Sequence, residues 1–329
     1  MRIETGDRTR ADSASPERRG GLMRPPTERP VMAPAEDDIS IEEKRVYAGT
    51  AGRTDAYVAT ESGVVRVALS ADKIGAFDMV ARDEARDAAV LPRRDAPDIL
   101  GVATAEGLRV APVGDELAFE TVAVEPVGSD PLVAVGVDRG AFLVALETGE
   151  IDRVELGDGD SEPTGASVGT VPEPRAIDGP LVAAGDGIYQ VTGADRAELD
   201  AVGLDDARDV AGAGMPLAAT GAGVYWLGNG WMTALSGDAD AVAADGDGHA
   251  MAVVDGDLFV HGDGDDWDGA TWTVADLPVA ETPVALGYGP GISVAVTDAG
   301  TLCVDAGDGW RHQVVGVRGV AGVALATVE

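Results

Sequence analysis

An all-β fold, a seven-bladed β-propeller built from four-stranded antiparallel blades, is predicted by three observations. First, a run of small and β-branched residues recurs seven times. The copies are Tyr57-Val58-Ala59-Thr60, Gly101-Val102-Ala103-Thr104, Leu132-Val133-Ala134-Val135, Leu181-Val182-Ala183-Ala184, Leu217-Ala218-Ala219-Thr220, Met251-Ala252-Val253-Val254 and Ser293-Val294-Ala295-Val296. Second, their spacings of 44, 31, 49, 36, 34 and 42 residues average about 39, close to the length of one four-stranded blade. Third, a Gly- or Asp-containing turn and a second alternating apolar run follow each copy, so each repeat reads as a series of short strands.

Residues 1–38 stand apart from the repeats. They hold seven arginines (Arg2, Arg8, Arg10, Arg18, Arg19, Arg24 and Arg29), several prolines and no sustained hydrophobic period. Such a composition buries too little surface to offset the entropy of ordering, so a disordered tail is expected. Met23 and Met32 lie inside it, which leaves a later start codon as an alternative. The interspersed acids Glu4, Asp7, Asp12, Glu17 and Glu28 weaken the reading of a basic arm.

From Ile39 onward the pattern is strand-like. In the fifth repeat Leu217–Thr220 reads as the first strand and Val224–Leu227 as the second. Asn229-Gly230 signals a type I′ hairpin, Trp231–Leu235 is the third strand and Ala241–Ala244 the fourth. The seventh repeat follows with Ser293–Val296, Thr301–Val304, Trp310–Val315 and Val320–Val328. Trp231, Trp272 and Trp310 each open a third strand in this scheme, which marks them as packing elements between blades. A helix over residues 72–89 is a local alternative that Gly75 and a poor period argue against. Ring closure needs one blade made from both ends of the chain, and Lys44–Ala48 and Val320–Val328 are the candidates.

Charge is the second informative property. The formal net charge is −34 over 329 residues, only Lys44 and Lys73 are lysines, and mean hydropathy is still +0.03. A folded core under a very acidic, lysine-poor surface fits a protein of the halophilic cytoplasm. Self-repulsion would destabilise it in dilute buffer, whereas at molar salt the Debye length is about 3 Å. No basic stripe exists to release phosphate counterions, which disfavours nucleic-acid binding. No apolar stretch is long enough to span a bilayer. The single cysteine, Cys303, excludes an internal disulfide and sits in an apolar strand pattern.

The segment Ile41-Glu42-Glu43-Lys44-Arg45-Val46-Tyr47 resembles a family of haloarchaeal β-propeller proteins of no assigned activity. So do the stretch from Ala207-Arg208-Asp209-Val210 to Leu217-Ala218-Ala219-Thr220 and the run Leu227-Gly228-Asn229-Gly230-Trp231-Met232. The resemblance spans roughly residues 39–329. It implies the propeller fold and a halophilic archaeal cytoplasm, and it carries no catalytic residues to this chain.

Chemistry-bearing motifs are few. Gly165-Ala166-Ser167-Val168-Gly169 has the form of a nucleophile elbow, yet no helix pattern follows it and an ordinary loop is the expectation. Three acidic loops could offer oxygen ligands to a cation: Asp158, Asp160 and Glu162; Asp245 and Asp247; and Asp263, Asp265, Asp266 and Asp268. Hairpin turns also demand Asp and Gly. Gly269-Ala270-Thr271-Trp272 resembles the end of an Asp-box, with Trp267 in place of the aspartate expected two residues before the glycine. His249, His261 and His312 lack zinc-ligand spacing and read as surface or edge residues. An arginine recurs ahead of the apolar pair of the fourth strand at Arg86 and Arg208 and, more loosely, at Arg175 and Arg318. Such arginines could ring one mouth of the channel and bind an anion, or pair with aspartates and register neighbouring blades. No phosphate-binding or dinucleotide-binding loop occurs in a strand–helix context. The expectation is therefore a monomeric, cytoplasmic, non-catalytic interaction scaffold with an unknown protein partner, without cofactor, nucleic acid or membrane. A small-ligand or cation-binding propeller, or an enzyme at the channel mouth, is the alternative.

Overall fold

The computed structural model describes residues 53–328, apart from 158–160, 194–196, 263 and 265. These residues form seven four-stranded antiparallel sheets. Blade 1 contains β1 (Arg53–Thr60), β2 (Gly63–Ser70) and β3 (Lys73–Ala81). From the channel outward, blade 2 is β4 (Asp87–Leu91), β5 (Ile99–Thr104), β6 (Gly107–Pro112) and β7 (Glu120–Val122). Blade 3 is β8 (Leu132–Asp138), β9 (Ala141–Leu146), β10 (Glu150–Glu155) and β11 (Thr164–Thr170). Blade 4 is β12 (Pro174–Asp178), β13 (Leu181–Ala184), β14 (Gly187–Thr192) and β15 (Glu198–Gly203). Blade 5 is β16 (Ala207–Ala211), β17 (Leu217–Thr220), β18 (Gly223–Leu227) and β19 (Trp231–Ser236). Blade 6 is β20 (Ala239–Ala244), β21 (Ala250–Val254), β22 (Asp257–His261) and β23 (Trp272–Val274). Blade 7 is β24 (Pro283–Gly289), β25 (Ile292–Thr297), β26 (Thr301–Asp305) and β27 (Arg311–Val314).

The ring closes through β28 (Val320–Val328), which pairs with β1 and becomes the innermost strand of blade 1. The late end of the chain thus supplies an inner strand, and the candidate Lys44–Ala48 lies outside the described residues. Inner strands touch their neighbours all the way round, in the order β28, β4, β8, β12, β16, β20, β24 and back to β28.

Two sequence expectations shift by one strand. Six of the seven recurring runs are second strands from the channel (β1, β5, β13, β17, β21 and β25), but Leu132–Val135 opens β8, an inner strand. The true counterpart in blade 3 is β9, starting at Ala141, which explains the uneven spacings of 31 and 49 residues. Inner and second strands are both Ala- and Val-rich and both largely buried, so composition does not separate them. For the same reason Ala241–Ala244 is the inner strand of blade 6, and Trp231 and Trp272 open outermost strands, with Trp310 just ahead of another. Residues 73–81 are strand rather than helix, irregular near Gly75 where the β2–β3 register slips.

Local chemistry explains the hairpin from second to third strand. Thr60, Thr104 and Thr220 each end a second strand. Each hydroxyl donates to the carbonyl of the glycine three residues on, at 2.8, 2.8 and 3.2 Å, and accepts the amide between them. Gly63, in the first of these turns, has φ +128°, and a Cβ there would lie 2.0 Å from the Ala81 carbonyl oxygen. Only glycine fits that turn.

The core lies in the seams between blades. Cluster after cluster joins residues of two adjacent sheets, as where Ala103 and Leu108 of blade 2 and Phe142 of blade 3 are all buried. Gly101 makes room for that ring, since its Cβ would lie 2.4 Å from a Phe142 ring carbon. The tryptophans serve the same seams. Trp231 donates from Nε1 to the Val202 carbonyl of blade 4 at 2.9 Å, Trp272 packs with Ala234 of blade 5, and Trp310 packs with Leu258 of blade 6.

Candidate functional site

Each blade is crossed four times, so every inner strand starts at the same mouth of the channel. At that mouth the inner strands share a defect. Registers slip by one residue at Val133, Arg175, Arg208, Asp240, Val284 and Ala321, each one place into its strand. Arg86 occupies the matching place in blade 2, because its amide donates to the Ala103 carbonyl at 2.9 Å while Asp87 is the residue paired with Ala103. A β-bulge bends its strand and re-aims the bulged side chain. Arg86, Arg175 and Arg208 are therefore structurally equivalent, as their recurrence suggests.

The three guanidinium groups do the same thing. Nη1 of Arg86 donates to the Leu132 carbonyl at 3.2 Å and to Glu147 at 2.6 Å. Nη1 of Arg175 donates to the Ala207 carbonyl at 3.1 Å and to Asp206 at 2.7 Å. Nη1 of Arg208 donates to the Ala239 carbonyl at 3.5 Å and to Asp240 at 2.6 Å, while Nη2 pairs with Asp238 at 2.8 Å. The carbonyl in each case belongs to the residue just before the bulge position of the next blade. Arg318 lies three residues ahead of the bulge at Ala321, is exposed, and makes no side-chain hydrogen bond or ion pair among the described residues. The structure thus brings three of the four arginines into one repeated role and leaves Arg318 outside it.

Two aspartates complete the pattern. Oδ1 of Asp87 accepts the Ala88 amide at 2.8 Å and Oδ2 accepts the Val135 amide of blade 3 at 2.9 Å. Asp209 repeats this with Val210 and with Val242 of blade 6, both at 2.9 Å. Each Arg-Asp dipeptide is a two-point clamp. It satisfies a carbonyl and, three residues on, an amide of the neighbouring inner strand. Burial pushes each carboxyl up to about 7, against the pull of the two amides. Asp178, which accepts the Gly212 amide at 2.7 Å across the seam of blades 4 and 5, is raised by burial as well. The aspartates are visible in the sequence beside the arginines, but their acceptor role depends on backbone groups of another blade.

The channel itself is a cavity of about 420 Å³ whose wall is mostly Ala, Val and Gly, with Arg175, Arg208, Asp178, Asp209, Asp240 and Tyr288 as its polar members.

Of the expected acidic ligands, Asp245, Asp266 and Asp268 accept backbone amides of their own turns. Asp263 and Asp265 lie outside the described residues, as do Asp158 and Asp160. Asp268 caps a short 3-10 turn at Gly269–Thr271 by accepting the Ala270 amide at 2.8 Å, and Asp266 accepts the Asp268 amide at 3.4 Å. Asp245 binds the amides of Asp247 and His249 and the His249 ring, at 2.7, 3.0 and 2.6 Å. Among the described residues no three His, Cys, Asp or Glu side chains are grouped to hold a metal ion.

Other motifs take structural places. Ser167 lies in β11, paired across from Asp152 of the adjacent strand, so no elbow exists there. Cys303 is buried, and burial together with Glu281 pushes its thiol up to about 11. His261 corrects the expectation of surface histidines, for it is 2% exposed. Its ring stacks on Trp267 at 4.0 Å, tilts against Trp272 at 5.3 Å, and places Nδ1 and Nε2 each 2.9 Å from the carbonyls of Gly248 and Asp266. Trp267, at the degenerate Asp-box position, is thus a core residue.

Among solved structures, YCF48 bound to D1 peptide is 15% identical, with a TM-score of 0.53 covering 84% of this chain and 97% of that one. The WD40 β-propeller domain of Doa1 is 14% identical, with a TM-score of 0.53 over 73% and 86% of the two chains. Human WBSCR16 is 13% identical, with a TM-score of 0.51 over 77% and 88%. These likenesses show the fold alone. No curated protein matches the sequence. Residues 40–326 match the family model described as HVO_0234-like, beta propeller, and the chain belongs to this haloarchaeal β-propeller family.

Proposed function

We propose that this propeller is a non-catalytic interaction scaffold that docks a protein partner on its loop-bearing faces. The observation that carries the reading is how the charged groups at the channel mouth are used. Arg86, Arg175 and Arg208 all reach into the next blade and are paired there, and Asp87 and Asp209 are bound to backbone amides. A catalytic pocket needs polar groups from several blades aimed at a common point. Here they are aimed at seams, which suits a rigid disc that presents its loops. Cytoplasmic placement in a salt-rich cell follows from the charge of −34 and is part of the same proposal. The test is affinity capture in molar KCl, identification of what is retained, and calorimetry with the purified partner. A stoichiometric complex supports the scaffold; no protein binding, together with a small molecule that raises the melting temperature, would sink it.

A small-anion site at the mouth is the second reading, favoured by the presence of Arg175 and Arg208 on the channel wall. It predicts that Arg208→Glu abolishes anion binding while leaving the fold intact.

A further inference from the structure

Blade 5 carries a segment unlike the rest of the chain. No charged residue occurs between Asp209 and Asp238, although the net charge is −34. The hairpin from β18 to β19 lies within this segment, and its tip is Gly228-Asn229-Gly230. Asn229 is the only asparagine of the chain, and it is exposed. We propose that Asn229 is a self-modification site. The main-chain nitrogen of Gly230 attacks the Asn229 carboxamide, and position 229 passes through a cyclic imide to aspartate and isoaspartate.

The tip leaves the reacting groups free. The Asn229 side chain makes no hydrogen bond among the described residues, and the backbone bond across the tip runs from the Gly228 amide to the Gly230 carbonyl at 3.0 Å. The Gly230 amide, which is the nucleophile, lies outside both strands and donates to no group among the described residues. A Cβ at Gly230 would have no atom within 4 Å, whereas one at Gly228 would stand 2.6 Å from the Met232 methyl and 2.8 Å from the Trp226 ring. The packed side of the tip is therefore Gly228, and the side where the ring must form is open. Asn229 keeps a negative φ, so the pair does not adopt the type I′ turn that Asn-Gly suggests, in which both residues have positive φ.

The step balances with water alone. Hydroxide takes the Gly230 amide proton, and the nitrogen forms a bond to Cγ of Asn229. The bond from Cγ to the side-chain nitrogen breaks, and that nitrogen leaves as ammonia after taking a proton from water. Water then opens the imide at either carbonyl. Opening at the side-chain carbonyl leaves aspartate; opening at the main-chain carbonyl leaves isoaspartate, with the backbone running through Cβ. Nucleophile and electrophile belong to adjacent residues, so no encounter has to be arranged, and glycine lacks the Cβ that would crowd the forming ring. Either product places a carboxylate on an uncharged rim beside Trp226 and the exposed Met232.

The experiment is peptide mass spectrometry of the full chain held in molar KCl at mildly alkaline pH, beside the same chain unfolded in guanidinium chloride. It reads the exchange of amide for acid at position 229, with fragmentation that tells isoaspartate from aspartate. The folded chain should convert within about tenfold of the unfolded rate, because the tip need not open first. A larger slowing means that the hairpin holds the two groups apart, and it would overturn the proposal. So would a product that is aspartate alone, since water and not Gly230 would then have attacked. Gly230→Ala should slow the folded conversion about tenfold, and an unchanged rate counts against the assigned nucleophile. Should that variant not fold, isoaspartate in the wild-type product decides alone, because only the imide gives it.

Discussion

At the residue scale, the molecule spends its scarce cations on seams. Arg208 touches two carboxylates and a carbonyl of the next blade, and its replacement by glutamate sets like charges side by side. Arg208→Glu should destabilise the protein by about 1–3 kcal/mol, read from denaturant unfolding in molar KCl. Unchanged stability would favour the anion site instead. Asp87 and Asp209, half-buried among the inner strands, act on global stability through their titration. Their carboxyls are raised from 3.8 to about 7, so the stability they contribute is complete below about 4 and is lost as pH rises to about 7. The melting temperature in molar KCl should therefore fall between pH 5 and 7 and level off above 8, with a flatter curve for the double variant Asp87→Asn, Asp209→Asn. A melting temperature that climbs through that window would contradict this. The sequence showed the recurring arginines, and the bulge confirms that three of them are equivalent. It could not show their partners, because Leu132, Ala207 and Ala239 contribute only backbone carbonyls that no side-chain pattern encodes.

At the element scale, repeat count and strand order were legible because hairpin turns need Gly and Asp, and buried strands need small apolar residues. The phase was not. Leu132-Val133-Ala134 in β8 and Leu143-Val144-Ala145 in β9 have the same composition, so the wrong strand of blade 3 matched the others. Only the wall of neighbours tells them apart: β9 packs Phe142 into the seam that Gly101 leaves open. That fit is testable. Gly101→Val pushes a branched side chain into the Phe142 ring and should cost about 1–3 kcal/mol. Phe142→Leu in the same chain should restore part of the loss; independent, additive penalties would show that the two residues do not share a space. His261 was the least legible residue, since its burial depends on Trp267 from a loop that reads as polar.

At the scale of the whole molecule, the chain carries a net charge of −34 and the core of its described residues is mostly Ala, Val and Leu. Small side chains bury little area each, so the balance against self-repulsion is narrow. Unfolding monitored by circular dichroism should show loss of structure on dialysis into dilute buffer and recovery in molar KCl; a melting temperature indifferent to salt would exclude this. The order in which the strands are made adds a last consequence. β28 lies inside β1, yet it is translated after every other described strand. Blade 1 therefore leaves the ribosome first, without its innermost member, and waits for six further blades to be synthesised. During that interval the pairing edge of β1 is bare, and any nascent strand or any chaperone that recognises strand edges can occupy it. Closure is a late event in the life of the chain, and the crowded interior in which it happens decides whether the ring completes with its own last strand or with another molecule's.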